Sequence, residues 1–400
     1  MELVIDFLRE ARWLDSGRVR GYAVLIGIAS LAIFALSYRD AIGPVGSDFL
    51  AFWGAGHVAA AGNPAAAYDL AVQQQVQTAT ASTNYFAFVN PPPFLFMATP
   101  FGMLPYPAAW LAWVVLGFAL WAWVSIRAFP RLWLLVLIYP GALVEAIHGQ
   151  AGFVTGAALV YAATRLDRRP LASGAAIGTL LIKPHLALLL PFWLATGRRW
   201  LVFAAASASI VILVLASWAA FGSKTMLAYP ESWAASRAIM TYAPVAFLLR
   251  LSSFYAQTRI YFGEPIALIV GALVLLAMLA VALLAWRRFG NDWRGSGALV
   301  LAATGIASPY LFNYDLPFLV MPTLWLVEQG LARGFRPYEK LVLVALFFAP
   351  FATRAAALPL GLNLMPFACL VLMWYVWSRG PEPVGLSESL NGDGGAVRIA

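Results

Sequence analysis

The stretch from Pro265 to Trp286 reads PIALIVGALVLLAMLAVALLAW and contains no charged residue. An α-helix needs about 20 predominantly apolar residues to cross the hydrocarbon core of a bilayer. Two arginines, Arg287 and Arg288, follow at once, and positive charge is typical of the cytoplasmic end of a membrane helix. This stretch predicts a transmembrane helix and identifies the chain as an integral membrane protein.

The composition supports the same class. The chain is 62% hydrophobic and 11% charged, with a mean hydropathy of +0.78, whereas soluble domains average about 45–50% apolar and about 25% charged residues. Its 16 Trp and 15 Tyr suit the two membrane interfaces. The net charge of +8 lies in short loops between apolar runs, which indicates topology signals, so we expect membrane lipids and no nucleic acid as partners. A single cysteine, Cys369, excludes a disulfide framework.

The hydropathy pattern predicts an all-α polytopic protein with about 12 transmembrane segments. The candidate segments are 20–37, 107–127, 132–147, 150–164, 171–183, 184–196, 199–221, 265–286, 297–312, 314–328, 339–356 and 358–378. Several are short, and 171–183 with 184–196 is predicted to be a pair broken at Lys183-Pro184, because proline removes a backbone donor and clashes with the preceding turn.

The distribution of Lys and Arg sets the orientation. With the N-terminus inside, 19 of the 26 basic residues fall in inner loops or tails and only 7 fall outside or within the membrane. This excess follows the positive-inside rule. We therefore expect a multi-pass protein of the cell inner or plasma membrane, with both termini cytoplasmic.

Two outer loops are long, 38–106 and 222–264. The first is predicted to contain short interfacial helices near 48–61 and 69–82, separated by Asn63-Pro64. Neither loop is large enough for a soluble domain, so 1–378 is expected to form a single transmembrane domain. Residues 379–400, rich in Gly, Ser and acidic residues, are predicted to be a disordered cytoplasmic tail.

The rare polar residues of the apolar segments fall on the outer side of this layout. An ionisable group at membrane depth is unfavourable by a few kcal/mol on insertion scales, and its default interpretation is functional. These residues predict a polar cavity open to the extracytoplasmic face. Its candidate members are Asp48, Glu145, His148, Gln150, Lys183, His185, Asn313, Asp315 and Arg354.

Structural alternatives remain open for most of them. Asp48 could cap the helix that follows it, because Asp is among the best N-caps. Glu145 and His148, three positions apart, could form a local helical pair. Gln150 could belong to a turn between two glycines, and Arg354 could mark a helix end at the interface. The remaining alternatives are a turn at Asn313-Tyr314-Asp315 and snorkelling of Lys183.

Several short motifs occur in a characteristic order over roughly residues 20–380, and together they resemble glycosyltransferase family 87. They are Ser47-Asp48-Phe49 with Gly62-Asn63-Pro64 and Ala67-Tyr68-Asp69, then Asn90-Pro91-Pro92-Pro93, Thr99-Pro100-Phe101-Gly102-Met103-Leu104-Pro105, His148-Gly149-Gln150, Leu181-Ile182-Lys183-Pro184-His185 and Asn313-Tyr314-Asp315-Leu316-Pro317.

The resemblance implies a glycosyltransferase of the C-type fold that takes its sugar from a polyprenyl-phosphate donor. Relatives of this kind are mannosyltransferases that invert the anomeric carbon without a metal, so no cofactor is expected. By the same resemblance Asp48 takes the place of the catalytic aspartate of the first outer loop. The chain departs from the family at Asn90, where Tyr is frequent, at His185, where Gln is frequent, and at Ala67, where Pro is frequent. These departures leave the sugar and the acceptor open.

The chemistry of glycosyl transfer assigns roles to the candidates. A base must accept the proton of the acceptor hydroxyl, and Asp48 is the candidate. Cations must stabilise the departing phosphate, and Lys183, His185 and Arg354 are the candidates. The substrate-binding candidates are His148, Gln150, Glu145, Asn313 and Asp315. The predicted function is transfer of a hexose, with mannose as the leading candidate, to an extracytoplasmic lipid or glycan acceptor.

A transporter or lipid flippase is the competing interpretation, because such proteins also use buried cations and broken helices. A transporter predicts polar residues along a path to both faces. In this chain they cluster on one side, which favours the transferase. A structural or assembly protein would leave Asp48 and Lys183 without a role.

Overall fold

The computed structural model describes residues 2–381, and the tail predicted over 379–400 therefore lies almost entirely outside the described residues. Within that range the secondary structure is helical and no β-strand occurs; one isolated antiparallel bridge joins Leu251 and Phe312. The protein is thus an all-α protein, as predicted.

Residues 2–381 form the following α-helices in chain order: α1 (Glu2–Glu10), α2 (Ser16–Ile42), α3 (Phe49–Ala60), α4 (Leu70–Thr78), α5 (Leu95–Gly102), α6 (Tyr106–Ala128), α7 (Trp133–Leu137), α8 (Pro140–His148), α9 (Gly152–Arg165), α10 (Pro170–Thr179), α11 (Leu190–Thr196), α12 (Trp200–Ala228), α13 (Ser232–Thr241), α14 (Val245–Leu248), α15 (Phe254–Phe262), α16 (Glu264–Phe289), α17 (Trp293–Ala307), α18 (Val320–Arg333), α19 (Glu339–Leu360) and α20 (Met365–Arg379). Short 3₁₀ helices lie at Pro64–Tyr68, Pro92–Phe94, Pro130–Leu132, Leu180–Ile182, Pro184–Ala187, Tyr229–Glu231 and Asn313–Leu319.

Five helices of the described chain are long and apolar enough to cross a membrane, or six if the bent pair Pro130–Leu137 and Pro140–His148 forms one span. Each of the twelve predicted segments coincides with a helix or helix pair, but several are short. Helices α9, α17 and α20 have 14 or 15 residues, which at about 1.5 Å per residue is about 22 Å, less than a typical hydrocarbon core of about 30 Å. The count of twelve spans therefore stays a prediction.

The helices run between two chemically different ends. At the start of α6, Tyr106 OH lies 3.2 Å from Ser47 Oγ, next to Asp48. Near its other end, Arg165 Nη2 donates to the carbonyl of Arg127 at 2.9 Å. The 23 residues of α6 separate these points by about 35 Å. We call the first end the Asp48 end and the second the basic end.

Ion pairs gather at the basic end. Arg379, the last residue of α20, pairs with the buried Glu339 at the start of α19. Arg294 pairs with Glu328 at 2.8 Å, and its guanidinium also reaches the carbonyl of Ala128, the last residue of α6. Arginines from three predicted inner loops and from the start of the predicted C-terminal tail thus share this end. Helices α9, α18, α19 and α20 connect it to the Asp48 end.

The break predicted at Lys183-Pro184 is present. Lys183 has φ −143° and ψ 73°, which lie outside the helical region and separate two 3₁₀ turns. Pro184 explains the break, since it cannot donate the backbone hydrogen bond that a continuous helix requires. The chain therefore turns at the depth of Lys183 and returns through α11 to the basic end.

Helix α3, which begins directly after Asp48, packs against α5 at very short range. A Cβ built on Gly102 would lie 2.1 Å from the backbone carbon of Gly56, and a Cβ on Gly56 would lie 2.1 Å from the carbonyl oxygen of Ala98. Only glycine permits this approach, because backbone atoms of both helices occupy the space of the missing side chains. The contact fixes α3 against α5 and thereby helps to set the position of Asp48, which directly precedes α3.

Replacing Gly102 by alanine is expected to lower the free energy of unfolding by about 1–3 kcal/mol or more, because the new methyl group must push α3 and α5 apart. Thermal unfolding of the purified protein measures this loss. Gly21→Ala in α2 is the matched control, since a Cβ there meets no atom within 4 Å. Equal unfolding temperatures for Gly102→Ala and Gly21→Ala would contradict the packing argument.

Candidate active site

Asp48 stands at the N-cap of α3 without capping it. Its backbone has φ −57° and ψ −22°, and its side chain accepts no cap hydrogen bond. An N-cap residue usually adopts an extended conformation that turns its side chain towards the next backbone amides; the helical conformation of Asp48 prevents this. Its carboxylate is half-buried and accepts no hydrogen bond from the described residues. The capping interpretation therefore does not explain this residue.

The residue before it is held firmly. Ser47 Oγ accepts a hydrogen bond from Trp110 Nε1 at 2.9 Å and lies 3.2 Å from the hydroxyl of Tyr106. Tyr106 in turn donates to the carbonyl of Ala41 at 3.0 Å. Because α2 and α6 both hold Ser47 through this network, the position of the neighbouring Asp48 is fixed by the folded core and not by a free loop.

His148 approaches Asp48 from the end of α8. Its neighbour Gly149 has φ 62°, and a Cβ there would lie 3.1 Å from Cβ of Phe49 and 3.0 Å from Nε1 of Trp110. Gly149 thus packs directly on Phe49, the residue that follows Asp48. His148 Nδ1 lies 2.8 Å from the carbonyl of Val144, which leaves Nε2 for other partners.

Two arginines complete the surroundings of Asp48. Arg354 on α19 is half-buried and Arg250 after α14 is exposed. Asn313 joins their two segments, because its backbone amide donates to the carbonyl of Arg250 at 3.1 Å and its side-chain amide to the carbonyl of Pro350, one turn before Arg354, at 3.5 Å. The charges of Asp48, Arg250 and Arg354 act on His148. We call Asp48, His148, Arg250 and Arg354 the outer cluster.

A second group lies deeper and is neutralised internally. Lys183 Nζ donates to Asp315 Oδ1 at 2.6 Å and to Gln150 Oε1 at 3.1 Å. The two charged side chains are only 8% and 1% exposed. Lys183 thus has the anionic partner that a buried lysine needs, and Gln150 has a role beyond turn geometry. We call Lys183, Asp315, Gln150, Glu145 and His185 the inner cluster.

Two buried polar atoms of the inner cluster have no hydrogen-bond partner among the described residues: Oε2 of Glu145 and Nε2 of His185. The other oxygen of Glu145 accepts from the amide of Gly152 at 2.8 Å. Glu145 therefore binds forward to the start of α9 and makes no local pair with His148. Within residues 2–381, no three His, Cys, Asp and Glu side chains lie close enough together to hold a metal ion.

Tyr314 lies between the two clusters. Its ring centre is 5.3 Å from that of His148 and 5.1 Å from Nζ of Lys183. Its other neighbour is the ring of Phe312, stacked at 4.9 Å. The motif Asn313-Tyr314-Asp315 thus supplies one contact to each cluster, and it does so because the 3₁₀ helix Asn313–Leu319 directs successive side chains to different sides.

Asn313 itself supports the backbone that carries Arg250. Its backbone amide donates to the carbonyl of Arg250 at 3.1 Å, and its side-chain oxygen accepts from Asn363 Nδ2 at 2.8 Å. Arg250 and Asn363 were not among the residues selected from the sequence. A hint for Arg250 was its position in the apolar stretch Phe247-Leu248-Leu249-Arg250-Leu251 of an outer loop; Asn363 gave no comparable signal.

The first outer loop is tied to the break at Lys183. Asn90 Nδ2 donates to the carbonyl of Ile182 at 3.1 Å, and the carbonyl of Asn90 accepts from Tyr68 OH at 3.0 Å. Burial raises the pKa of the Tyr68 hydroxyl above its usual range, so Tyr68 remains a neutral donor. The position where the chain departs from the family pattern, Asn90, is therefore a structural link between the loop and the inner cluster.

Comparison with known proteins assigns the family. The model of glycosyltransferase family 87 matches residues 88–309, more than half of the chain. This range includes His148 and Lys183, whereas Asp48 and Arg354 lie outside it. No curated protein and no solved structure matches the chain. By this match the chain belongs to glycosyltransferase family 87 and is a membrane-embedded glycosyltransferase.

Proposed function

We propose that this enzyme transfers a hexose, mannose as the first candidate, from a polyprenyl-phosphate-linked donor to a lipid or glycan acceptor, without a metal and with inversion at the anomeric carbon. Asp48 is the general base. The observation that carries the proposal is the Asp48 carboxylate itself, which is half-buried and neither caps a helix nor accepts a hydrogen bond from the described residues.

The reaction balances with these groups alone. Asp48 accepts the proton of the acceptor hydroxyl, whose oxygen forms a bond to the anomeric carbon from the face opposite the phosphate. The bond between that carbon and the phosphate oxygen breaks, and the electron pair leaves with the polyprenyl phosphate. Arg354 stabilises the charge that develops on this oxygen. Attack from the opposite face inverts the configuration.

The other candidates divide between binding and support. His148, with Nε2 free of the helix carbonyl, faces the sugar or the acceptor, and Gln150 lines the same region. The buried Asn313, predicted as a substrate ligand, supports the segment of Arg250 instead. Lys183 is already neutralised by Asp315, so we propose that this pair positions Tyr314. Glu145 supports the start of α9. His185 adds a further polar side chain to the inner cluster, two residues after Lys183.

The proposed location follows from the two ends of the bundle. Arginines gather at the basic end, and the positive-inside rule places such residues in the cytoplasm. The Asp48 end is then extracytoplasmic, in the cell inner or plasma membrane, with both termini cytoplasmic. In this arrangement the prenyl chain remains among lipids while the acceptor reaches Asp48 from outside.

The deciding experiment measures transfer from radiolabelled polyprenyl-phosphate hexoses into membrane extracts that contain wild-type protein or Asp48→Ala at matched expression. Incorporation that requires Asp48 supports the proposal and identifies the sugar. Incorporation from a nucleotide sugar with none from any polyprenyl-phosphate sugar would overturn the proposed donor. Transport of a lipid-linked sugar across reconstituted vesicles, with no transfer to any acceptor, would favour the transporter.

A further inference from the structure

The outer cluster holds two arginines whose backbone segments meet at Asn313, which donates to the carbonyl of Arg250 at 3.1 Å and to the carbonyl of Pro350, one turn before Arg354, at 3.5 Å. Neither Arg250 nor Arg354 forms a salt bridge within the described chain, where seven ion pairs occur elsewhere. Asp48 is the acidic residue whose charge acts on Arg354, so the two arginines together carry one positive charge in excess. Two arginines on joined segments, with no ion-pair partner in the described chain, make a site for an additional anion.

We propose that Arg250 and Arg354 together hold the phosphate of the polyprenyl-phosphate donor and of the released product, and that Asn363 is the positioning residue for Arg250. This inference rests on the proposed function and names the second phosphate ligand of that site. We call the two arginines the phosphate clamp.

The chemistry of the leaving group calls for a second cation. A sugar linked to polyprenyl phosphate is a phosphodiester with one negative charge, whereas the polyprenyl phosphate that departs is a monoester with up to two. An interaction that strengthens as this charge develops accelerates the reaction. The planar guanidinium group suits the task because its N–H groups match the spacing of phosphate oxygens.

The backbone at Arg250 is held in place although the side chain is exposed. Leu251 pairs with Phe312 in the isolated bridge, and the amide of Ser252 donates to the carbonyl of Leu311 at 2.7 Å. These contacts join the Arg250 segment to the strand-like stretch directly before Asn313. The backbone of Arg250 therefore has a fixed position at the edge of the outer cluster.

Asn363 fastens the same segment from the loop between α19 and α20. It is fully buried, and its side-chain amide donates to the carbonyls of Leu249 and Leu251, at 3.0 and 3.1 Å, and to Asn313 Oδ1. The two carbonyls flank Arg250 on either side. Asn363 lies nine residues after Arg354. The end of α19 and the loop that follows it therefore carry Arg354 and also position Arg250.

The test compares the affinities of purified protein in lipid nanodiscs for a long-chain polyprenyl monophosphate and for the corresponding uncharged polyprenol. The ratio of the two dissociation constants isolates the contribution of the phosphate from that of the prenyl chain, and it requires no knowledge of the sugar. Arg250→Gln and Arg354→Gln are each expected to reduce this ratio about 10- to 100-fold. Arg250→Lys should recover part of it. Arg237→Gln, an exposed arginine of α13, is the matched control and should leave the ratio unchanged.

Asn363→Asp tests the positioning role, because it keeps the acceptor oxygen for the Met365 amide and removes the donors to Leu249 and Leu251. We expect Asn363→Asp to reduce the preference for the phosphate as Arg250→Gln does. The double variant Arg250→Gln/Asn363→Asp should have the same preference as either single variant. Such non-additivity indicates action through Arg250. Independent, additive losses would overturn the positioning role.

The outcomes separate the clamp from the proposed function. A wild-type phosphate preference in Arg250→Gln overturns the clamp and leaves the polyprenyl-phosphate donor in place, provided that the wild type transfers sugar from that donor. A wild-type enzyme that binds polyprenol and polyprenyl phosphate equally overturns both. Loss of preference in the two arginine variants, with the Arg237→Gln control unchanged, supports the clamp.

Discussion

Asp48→Asn is expected to reduce the rate of sugar transfer by about 10²–10⁴-fold, the usual contribution of a positioned general base. The substitution preserves the size of the side chain but removes its ability to accept the acceptor proton. Because the carboxylate makes no hydrogen bond with the described protein, the loss should appear in kcat with little change in stability. Initial rates with the donor identified by the transfer assay measure it.

Asp40→Asn is the matched control for charge, since Asp40 is an exposed residue at the end of α2. Its rate should equal that of the wild type. Thermal unfolding of Asp48→Asn within about 2 °C of the wild type would show that the fold is intact. Transfer by a folded Asp48→Asn at more than a tenth of the wild-type rate would exclude Asp48 as the base.

The sequence predicts the helical membrane architecture well, because the signals for it are local. Runs such as 265–286 correspond to a helix, α16, that is long and apolar enough to cross a membrane. The proline after Lys183 marks a real interruption in the helix. The short helices α3 and α4 lie in the two stretches predicted for the first outer loop. Apolar length and proline chemistry are properties of neighbouring residues, so they can be read without knowing the tertiary fold.

The division of the polar residues into two clusters was not predictable in the same way. The sequence grouped Lys183 with Arg354 as phosphate ligands, whereas the structure pairs Lys183 with Asp315, 132 positions away. A free cation and a neutralised one have the same sequence signature, an isolated basic residue in an apolar run. Only tertiary contacts distinguish them.

The same reason explains Arg250 and Asn363. Arg250 is one of the seven basic residues predicted to lie outside or within the membrane, and its apolar neighbours were the one local feature that separated it from Arg237 or Lys224. Its position next to Asn313 results from the bridge between Leu251 and Phe312 and from the contacts of Asn363. Such long-range backbone links leave no periodicity in the sequence.

The second large effect is expected at the Lys183–Asp315 pair. Removing one partner of a buried ion pair leaves an uncompensated charge and lowers stability by about 3–5 kcal/mol. Lys183→Met would leave Asp315 with only the amide of Phe312, at 3.3 Å. Asp315→Leu would leave the ammonium group with the amide oxygen of Gln150. Both single variants should therefore unfold at markedly lower temperature, whereas Glu264→Gln, which breaks the half-exposed pair with Arg259, should change stability by only about 0–1 kcal/mol.

The double variant Lys183→Met/Asp315→Leu distinguishes support from phosphate binding at this pair. Apolar residues of similar size often replace a buried ion pair without loss of stability, so the double variant should unfold close to the wild type. If the pair mainly positions Tyr314, the double variant also keeps most of its affinity for polyprenyl phosphate, because Arg250 and Arg354 remain. A stable double variant that has lost this affinity would instead make Lys183 a phosphate ligand that exchanges Asp315 for the donor. The result decides whether the charge at the helix break serves the fold or the substrate.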